Sequence, residues 1–229
     1  MTWFVTGASS GLGLEMVRLL VARGAVVRAT GRRAPDQLPA DFPDCPYLPC
    51  DLSDPRAVAE LADWATGQGR VQAAVLNAGA GYFRPLARET PEDIARVLAI
   101  NLEANITLAH RLRPALAGGR LGLVGSVAQK GAAGMPVYAA SKAALDGFGR
   151  ALAEEWRGAV TVRVLHPGPV ATGMATRAGR TPDFADRLFL PPRRTAAALL
   201  HALEARRGAD RQTVSFLRVG LHRLGGRTV

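Results

Sequence analysis

Tyr138 and Lys142 stand four residues apart in Tyr-Ala-Ala-Ser-Lys, and their types and spacing suit proton transfer. On an α-helix this spacing places both side chains on one face, one turn apart. A neighbouring ammonium favours the phenolate, so the tyrosine pKa is expected to fall toward neutrality. Such a phenol exchanges a proton with a reacting oxygen near neutral pH. The spacing alone is also common on ordinary helix surfaces, so the assignment depends on what the rest of the chain supplies.

The elements that must position this pair are legible as alternating strand and helix signals. Strands are expected at Thr2 to Thr6, Ala25 to Thr30, Pro46 to Cys50, Val71 to Asn77, Leu121 to Ser126, Val160 to Leu165 and Thr213 to Leu217. Helices are expected from Leu12 to Arg23, after Ser53-Asp54-Pro55, from Thr90 through His110, from Val137 to Trp156 and from Thr195 to Arg206. Ser53-Asp54-Pro55 and Thr90-Pro91 each pair a capping side chain with proline in the first turn. This alternation predicts an α/β fold, a doubly wound, Rossmann-like and mainly parallel seven-stranded sheet with helices on both faces. Residues 1–229 form one expected domain without a repeat or linker. The stretch from Thr172 to Arg194 lacks periodicity and is expected to act as a substrate lid.

Composition narrows the partners. The formal net charge is +10, which raises a nucleic-acid reading. The excess is nearly all arginine spread along the chain, with Lys130 and Lys142 the only lysines, so no nucleic-acid partner is expected. Arg206 to Arg227 concentrates the arginines and reads as a solvated face, with an acidic partner or a membrane surface as the alternatives. Cys45 and Cys50 match no zinc pattern, and no metal is expected. No apolar run is long enough to span a bilayer. The N-terminus enters a strand directly without signal-peptide features, which makes the cytoplasm the expected location.

Thr6-Gly7-Ala8-Ser9-Ser10-Gly11-Leu12-Gly13 lies between a predicted strand and a predicted helix, the context of a phosphate-binding loop. Glycines permit close backbone approach, and the helix N-terminus offers free N–H groups to a pyrophosphate. The spacing G-x-x-x-G-x-G, taken with Tyr138 and Lys142, resembles the short-chain dehydrogenase/reductase family in its short single-domain branch. Further matches run in order along Thr2 to about Thr172. They are Asn77-Ala78-Gly79, Asn101 in Ile-Asn-Leu, Ser126 at a strand end, and Pro167-Gly168-Pro169-Val170-Ala171-Thr172.

The resemblance implies a catalytic set of Asn101, Ser126, Tyr138 and Lys142. Tyr138 would protonate a carbonyl oxygen as hydride arrives from a nicotinamide, and Ser126 would hydrogen-bond the substrate. Lys142 would bind the nicotinamide ribose and lower the tyrosine pKa, while Asn101 would hold a water relaying protons. The cofactor site would comprise Gly7, Ser9, Ser10, Gly11, Leu12, Gly13, Asn77, Ala78, Gly79, Tyr138, Lys142, Pro167, Gly168, Val170 and Thr172. Asp51 with Leu52 resembles the family pair that contacts adenine. His166 precedes the Pro-Gly turn with no second histidine or acidic partner suggested nearby, so it reads as structural.

The second strand ends Ala29-Thr30-Gly31-Arg32-Arg33, with no acid before Asp36. An acid there would bind a ribose diol, whereas the guanidinium forks of Arg32 and Arg33 suit a 2′-phosphate. NADP(H) is therefore favoured over NAD(H). The expected pocket wall is Val127 to Pro136, Gly81-Tyr82-Phe83 and, from the lid, Met174, Phe184, Leu188 and Phe189. These mainly apolar side chains suit a small-molecule ketone, aldehyde or alcohol, with Lys130 open to an acidic group or to water. The alternatives are a non-catalytic nucleotide-sensing protein on the same fold, or an epimerase or dehydratase of that family. A homodimer or homotetramer is implied by resemblance. The atypical end, Ser215 to Arg223 followed by Gly225-Gly226, sets the usual tetramer in doubt.

Overall fold

A computed structural model describes residues 1–67, 69–179, 181, 189–205 and 211–214. The expected Phe184, Leu188, Arg206 to Asp210 and Ser215 to Arg227 lie outside these described residues. Seven parallel strands form one sheet in the order β3-β2-β1-β4-β5-β6-β7. They are β1 Thr2–Thr6, β2 Val26–Gly31, β3 Tyr47–Pro49, β4 Ala73–Leu76, β5 Arg120–Val124, β6 Thr161–Pro167 and β7 Arg211–Val214. The helices are α1 Gly11–Ala22, α2 Pro55–Gly67, α3 Pro91–Leu98, α4 Ala104–Leu112, α5 Pro136–Glu155, α6 Met174–Arg177 and α7 Pro192–Glu204. A π turn at Ala99–Glu103 joins α3 to α4. The lid stretch is thus not wholly irregular, because α6 and the start of α7 fall inside it.

The central strands β1, β4, β5 and β6 are buried on both faces, as an interior parallel strand requires. On β1, Trp3 and Val5 face one core and Phe4 the other, following the two-residue period. Phe4, Leu76, Leu121, Leu123 and Val164 pack with α2, α4 and α5. Trp3, Val5, Val75 and Leu165 pack with α1 and α7. Two buried arginines stitch helix ends to the sheet. Arg28 of β2 donates to the carbonyls of Ala65 and Gly69 near the end of α2, and Arg163 of β6 donates to those of Ala202 and Ala205 at the end of α7. Cations there meet the negative ends of the helix dipoles.

Strand order reverses between β1 and β4. The chain moves outward from β1 through β2 to β3, then returns to the other side of β1. Such a reversal opens a crevice beyond the C-terminal strand ends. Gly7, Arg32, Asp51, Asn77, Ser126 and Gly168 each follow a strand directly or within two residues, so the topology gathers them at this edge.

Candidate active site

Proline at the first position starts α5, and its register carries Tyr138 and Lys142 on one side. Lys142 is 3% exposed, and its Nζ donates to the Val124 carbonyl at the end of β5, 2.9 Å away. Burial disfavours the ammonium and brings its pKa down to about 8. Nζ lies 5.8 Å from the centre of the Tyr138 ring. Burial raises the Tyr138 pKa, and a hydrogen bond with the Ser126 side chain partly opposes the rise. The direction expected from Lys142 is therefore corrected: desolvation of the phenol sets it, and the group that opposes the rise is Ser126.

Ser126 follows β5, and its Oγ accepts the N–H of Ala128, which caps a short 3-10 turn. Asn101 lies in the π turn, fully buried. Its Oδ1 accepts the Ala80 N–H and its Nδ2 donates to the Ala80 carbonyl, both at 2.8 Å. Nδ2 also donates to Ser141 Oγ at 2.9 Å, and that hydroxyl donates to the Tyr138 carbonyl. The amide of Asn101 thus ties the loop after β4 to the first turns of α5. The π turn leaves helix carbonyls without their usual partners, and Asn105 Nδ2 donates to those of Ile100 and Asn101.

The glycine loop has Gly7 and Gly11 at φ +68° and +56°, where a side chain would strain the backbone. Gly13 serves packing, since a Cβ there would lie 2.3 Å from the Gly7 carbonyl oxygen. Ala8 N–H donates to Thr30, and Arg33 Nη1 donates to the Ser9 carbonyl at 2.9 Å, so the loop is held against β2. Arg32 is exposed beside it. Leu12 is half-buried in the first turn of α1. Ser10 precedes α1 without a side-chain capping bond, and the first turn carries no acid. This loop fits the pyrophosphate of a dinucleotide, because it leads into the N-terminus of α1, Arg33 lies against it, and the first turn of α1 carries no carboxylate.

Around the loop, Thr6 Oγ1 accepts the N–H groups of Asn77 and Ala78, and Asn77 Nδ2 donates to the Thr6 carbonyl. A Cβ on Gly79 would lie 3.4 Å from Asn101 Oδ1 and 3.5 Å from Lys142 Nζ. Burial opposes ionisation of Asp51, but hydrogen bonds from Arg96 and Ser53 hold its carboxyl down at about 2. Leu52 beside it is buried. β6 ends at Pro167 and leads through Gly168 to Val170, which bridges Leu190 and pins the two ends of the lid together. Thr172 packs over Gly11, and the Phe83 N–H donates to Ala178 just beyond α6, so the lid reaches the loop after β4.

Phe83 is 40% exposed and packs against Gly134, joining two of the expected wall segments. Lys130 points to the surface. The reading of His166 as lacking an acidic partner is corrected. Its Nε2 lies 2.8 Å from Asp146 Oδ1, both side chains being buried.

The sequence profile of the family described as short chain dehydrogenase matches residues 2–183. The chain is 34% identical to the cyclic-di-GMP-binding biofilm dispersal mediator protein of Escherichia coli (strain K12), over 75% of this chain and 73% of that protein. It is 32% identical to versicolorin reductase 1 of Aspergillus parasiticus, over 74% and 70% respectively.

This chain belongs to the short-chain dehydrogenase/reductase family.

Its fold superposes on a short chain dehydrogenase of Burkholderia cenocepacia J2315, crystallised with NADP, at a TM-score of 0.80 and 28% identity. The match covers 93% of this chain and 95% of that one. As a short-chain dehydrogenase/reductase the protein is a member of an oxidoreductase family with a Rossmann-like sheet. The structure adds residues that sequence reasoning missed. Asp146 continues the four-residue series from Tyr138 through Lys142, a signal that was available. Arg96 on α3 gave no local sign of reaching Asp51. Nor did Arg177 on α6, whose pKa is lowered by burial and then by the charges of Arg33 and Arg32.

Proposed function

We propose that this short-chain dehydrogenase/reductase uses NADP(H) to reduce a small-molecule ketone or aldehyde, and runs reversibly as an alcohol dehydrogenase. The observation that carries the reading is the Tyr138 phenol, with Ser126 acting on its ionisation and Lys142 buried one turn away. Burial raises the phenol pKa, so Tyr138 stays protonated at neutral pH, the form a reduction needs.

Bound nicotinamide would supply the hydride. Ser126 donates a hydrogen bond to the carbonyl oxygen and fixes its direction. Tyr138 then gives that oxygen its proton, and the Lys142 ammonium stabilises the resulting phenolate. Asn101 holds the loop after β4 and the Tyr138 turn in place, and a water near it would return the proton from solvent. Gly7 to Gly13 would hold the pyrophosphate, Asp51 and Leu52 the adenine side, and Asn77 to Gly79 the adenosine. Arg32 and Arg33 would take the 2′-phosphate, and Pro167, Gly168, Val170 and Thr172 would flank the nicotinamide. The crystallised NADP complex of the Burkholderia relative supports the cofactor assignment.

Among the described residues no helix is long and apolar enough to cross a membrane. We assign the protein to the cytoplasm, as a homo-oligomer paired through the long helices. Leu98 and Ile106, more than a third exposed on the outer side of α3 and α4, support that surface.

The E. coli relative's name favours a second reading, nucleotide sensing without turnover. Absorbance of NADPH, followed across a panel of ketones and aldehydes, separates the two. Turnover is expected, and Tyr138→Phe should reduce kcat by about 100-fold or more while NADPH still binds. NADPH binding without turnover of any panel member would overturn the reductase reading in favour of the sensor. Product analysis distinguishes reduction from epimerisation or dehydration.

A further inference from the structure

Asp146 is one turn beyond Lys142, on the same side of α5 as Tyr138. It is 5% exposed and His166 is 1% exposed, so a carboxylate and an imidazole are buried together under the site. Burying an ionisable pair is costly compared with packing apolar side chains, so a role beyond packing is expected of this one. His166 Nε2 meets Asp146 Oδ1 at 2.8 Å, and Arg150 Nε approaches the other carboxylate oxygen at 3.3 Å. On the far side of the ring, the Ser126 N–H donates to Nδ1 at 3.2 Å. The Ser126 carbonyl oxygen lies 3.1 Å from the same nitrogen.

In the neutral ring Nδ1 either accepts the Ser126 N–H or donates to the Ser126 carbonyl, and the Asp146 contact chooses between them. The carboxylate accepts only, so Nε2 carries the proton and Nδ1 is left as the acceptor for the Ser126 N–H. Gly125 makes the approach possible, because a Cβ there would lie 2.5 Å from Nδ1. The ring therefore lies directly beneath the Gly125–Ser126 peptide.

We propose that Asp146 and His166 are positioning residues that fix the backbone of Ser126, and so aim its hydroxyl at Tyr138. The inference rests on the reading of Ser126 and Tyr138 as the reacting pair. Asp146 belongs to the same helix as Tyr138, and His166 to the strand beside Ser126. The pair thus ties the helix bearing the acid to the turn bearing the substrate's hydrogen-bond donor. Misplacement of such groups by about 1 Å costs on the order of 100-fold in rate.

The test is Asp146→Asn, which keeps the shape while its amide is able to donate to Nε2. With that NH2 on Nε2 the ring proton moves to Nδ1, where it faces the Ser126 carbonyl, and the Ser126 N–H loses its acceptor. The expected result is a kcat lower by about 10- to 100-fold, with the NADPH dissociation constant by fluorescence changed less than about threefold. Side-chain 15N NMR of His166 reports the tautomer independently of turnover. Wild type must show the proton on Nε2, and a wild-type proton on Nδ1 overturns the proposal even if the variant fails to fold. A switched tautomer with unchanged kcat overturns it too, as does a lowered kcat with the tautomer retained, or equal loss of kcat and NADPH affinity. If wild type reduces no carbonyl, the reductase reading fails, while the tautomer still tests the hold on Ser126.

Discussion

Lys142 donates its ammonium to the carbonyl of Val124, 2.9 Å away, so the catalytic helix is anchored to the strand that delivers Ser126. The two residues are 18 positions apart, and only the packing of α5 on β5 joins them.

The depressed Lys142 pKa has a definite sign in stability. The folded value is about 8 against an ordinary 10.5, so between these limits the unfolded chain binds more protons. The penalty of the buried ammonium is complete below about 8 and is relieved as pH rises toward 10.5. A Lys142→Met variant should gain on wild type by a few kcal/mol at neutral pH, on the order of the shift itself. The gap between their urea midpoints should narrow from pH 8 upward. A constant gap would show that Lys142 is not desolvated.

The same proton appears in catalysis. Reduction needs Lys142 charged, so kcat/KM for carbonyl reduction should fall as pH rises past about 8. A profile flat to pH 10 would argue against an ammonium that stabilises the phenolate.

Asn101→Ala removes three hydrogen bonds from a fully buried amide. Each is worth about 1 kcal/mol net, so a loss of about 2–4 kcal/mol is expected by denaturant titration. The Ala80 peptide is left without its partner, and kcat should fall with stability as the Tyr138 turn loosens.

Arg32 and Arg33 are expected to discriminate between cofactors. Replacing the exposed Arg32 with serine, which leaves the Arg33 bond to the loop intact, should weaken NADPH about 10- to 100-fold, in line with the loss of charge-assisted hydrogen bonds. NADH binding should change by less than about threefold, so equal loss of both would remove the 2′-phosphate assignment. Isothermal titration of the two nucleotides is the direct measurement.

Gly13→Ala tests the loop itself. The added methyl would sit 2.3 Å from the Gly7 carbonyl oxygen, a backbone atom that yields only if the loop shifts. Overpacking of this kind costs about 1–3 kcal/mol. The thermal midpoint should drop, and nucleotide affinity should drop with it.

Much of the fold was legible because its signals are local. β1 at Thr2–Thr6 and the Thr90-capped start of α3 fall where composition and capping chemistry placed them. Most other boundaries agree to within about two residues, since side-chain period and turn residues act over one or two turns, while the expected end of the last strand, Ser215 to Leu217, lies outside the described residues. The proline-bearing start of α7 came three residues earlier than expected, inside the lid stretch whose irregularity hid it. The π turn at Asn101 was hidden for another reason: it is set by contacts with Ala80 and Ser141.

The sequence by itself determined the element order, the family and the candidate set of Asn101, Ser126, Tyr138 and Lys142. Those follow from patterns a few residues long and from motif order along the chain. Tertiary structure alone decided what each group experiences. The direction of the Tyr138 shift, the Val124 anchor of Lys142, the Arg96 hold on Asp51 and the Asp146–His166 pair all depend on burial or on partners brought together by the fold. Desolvation and hydrogen-bond direction are properties of the packed site, and no spacing along the chain encodes them.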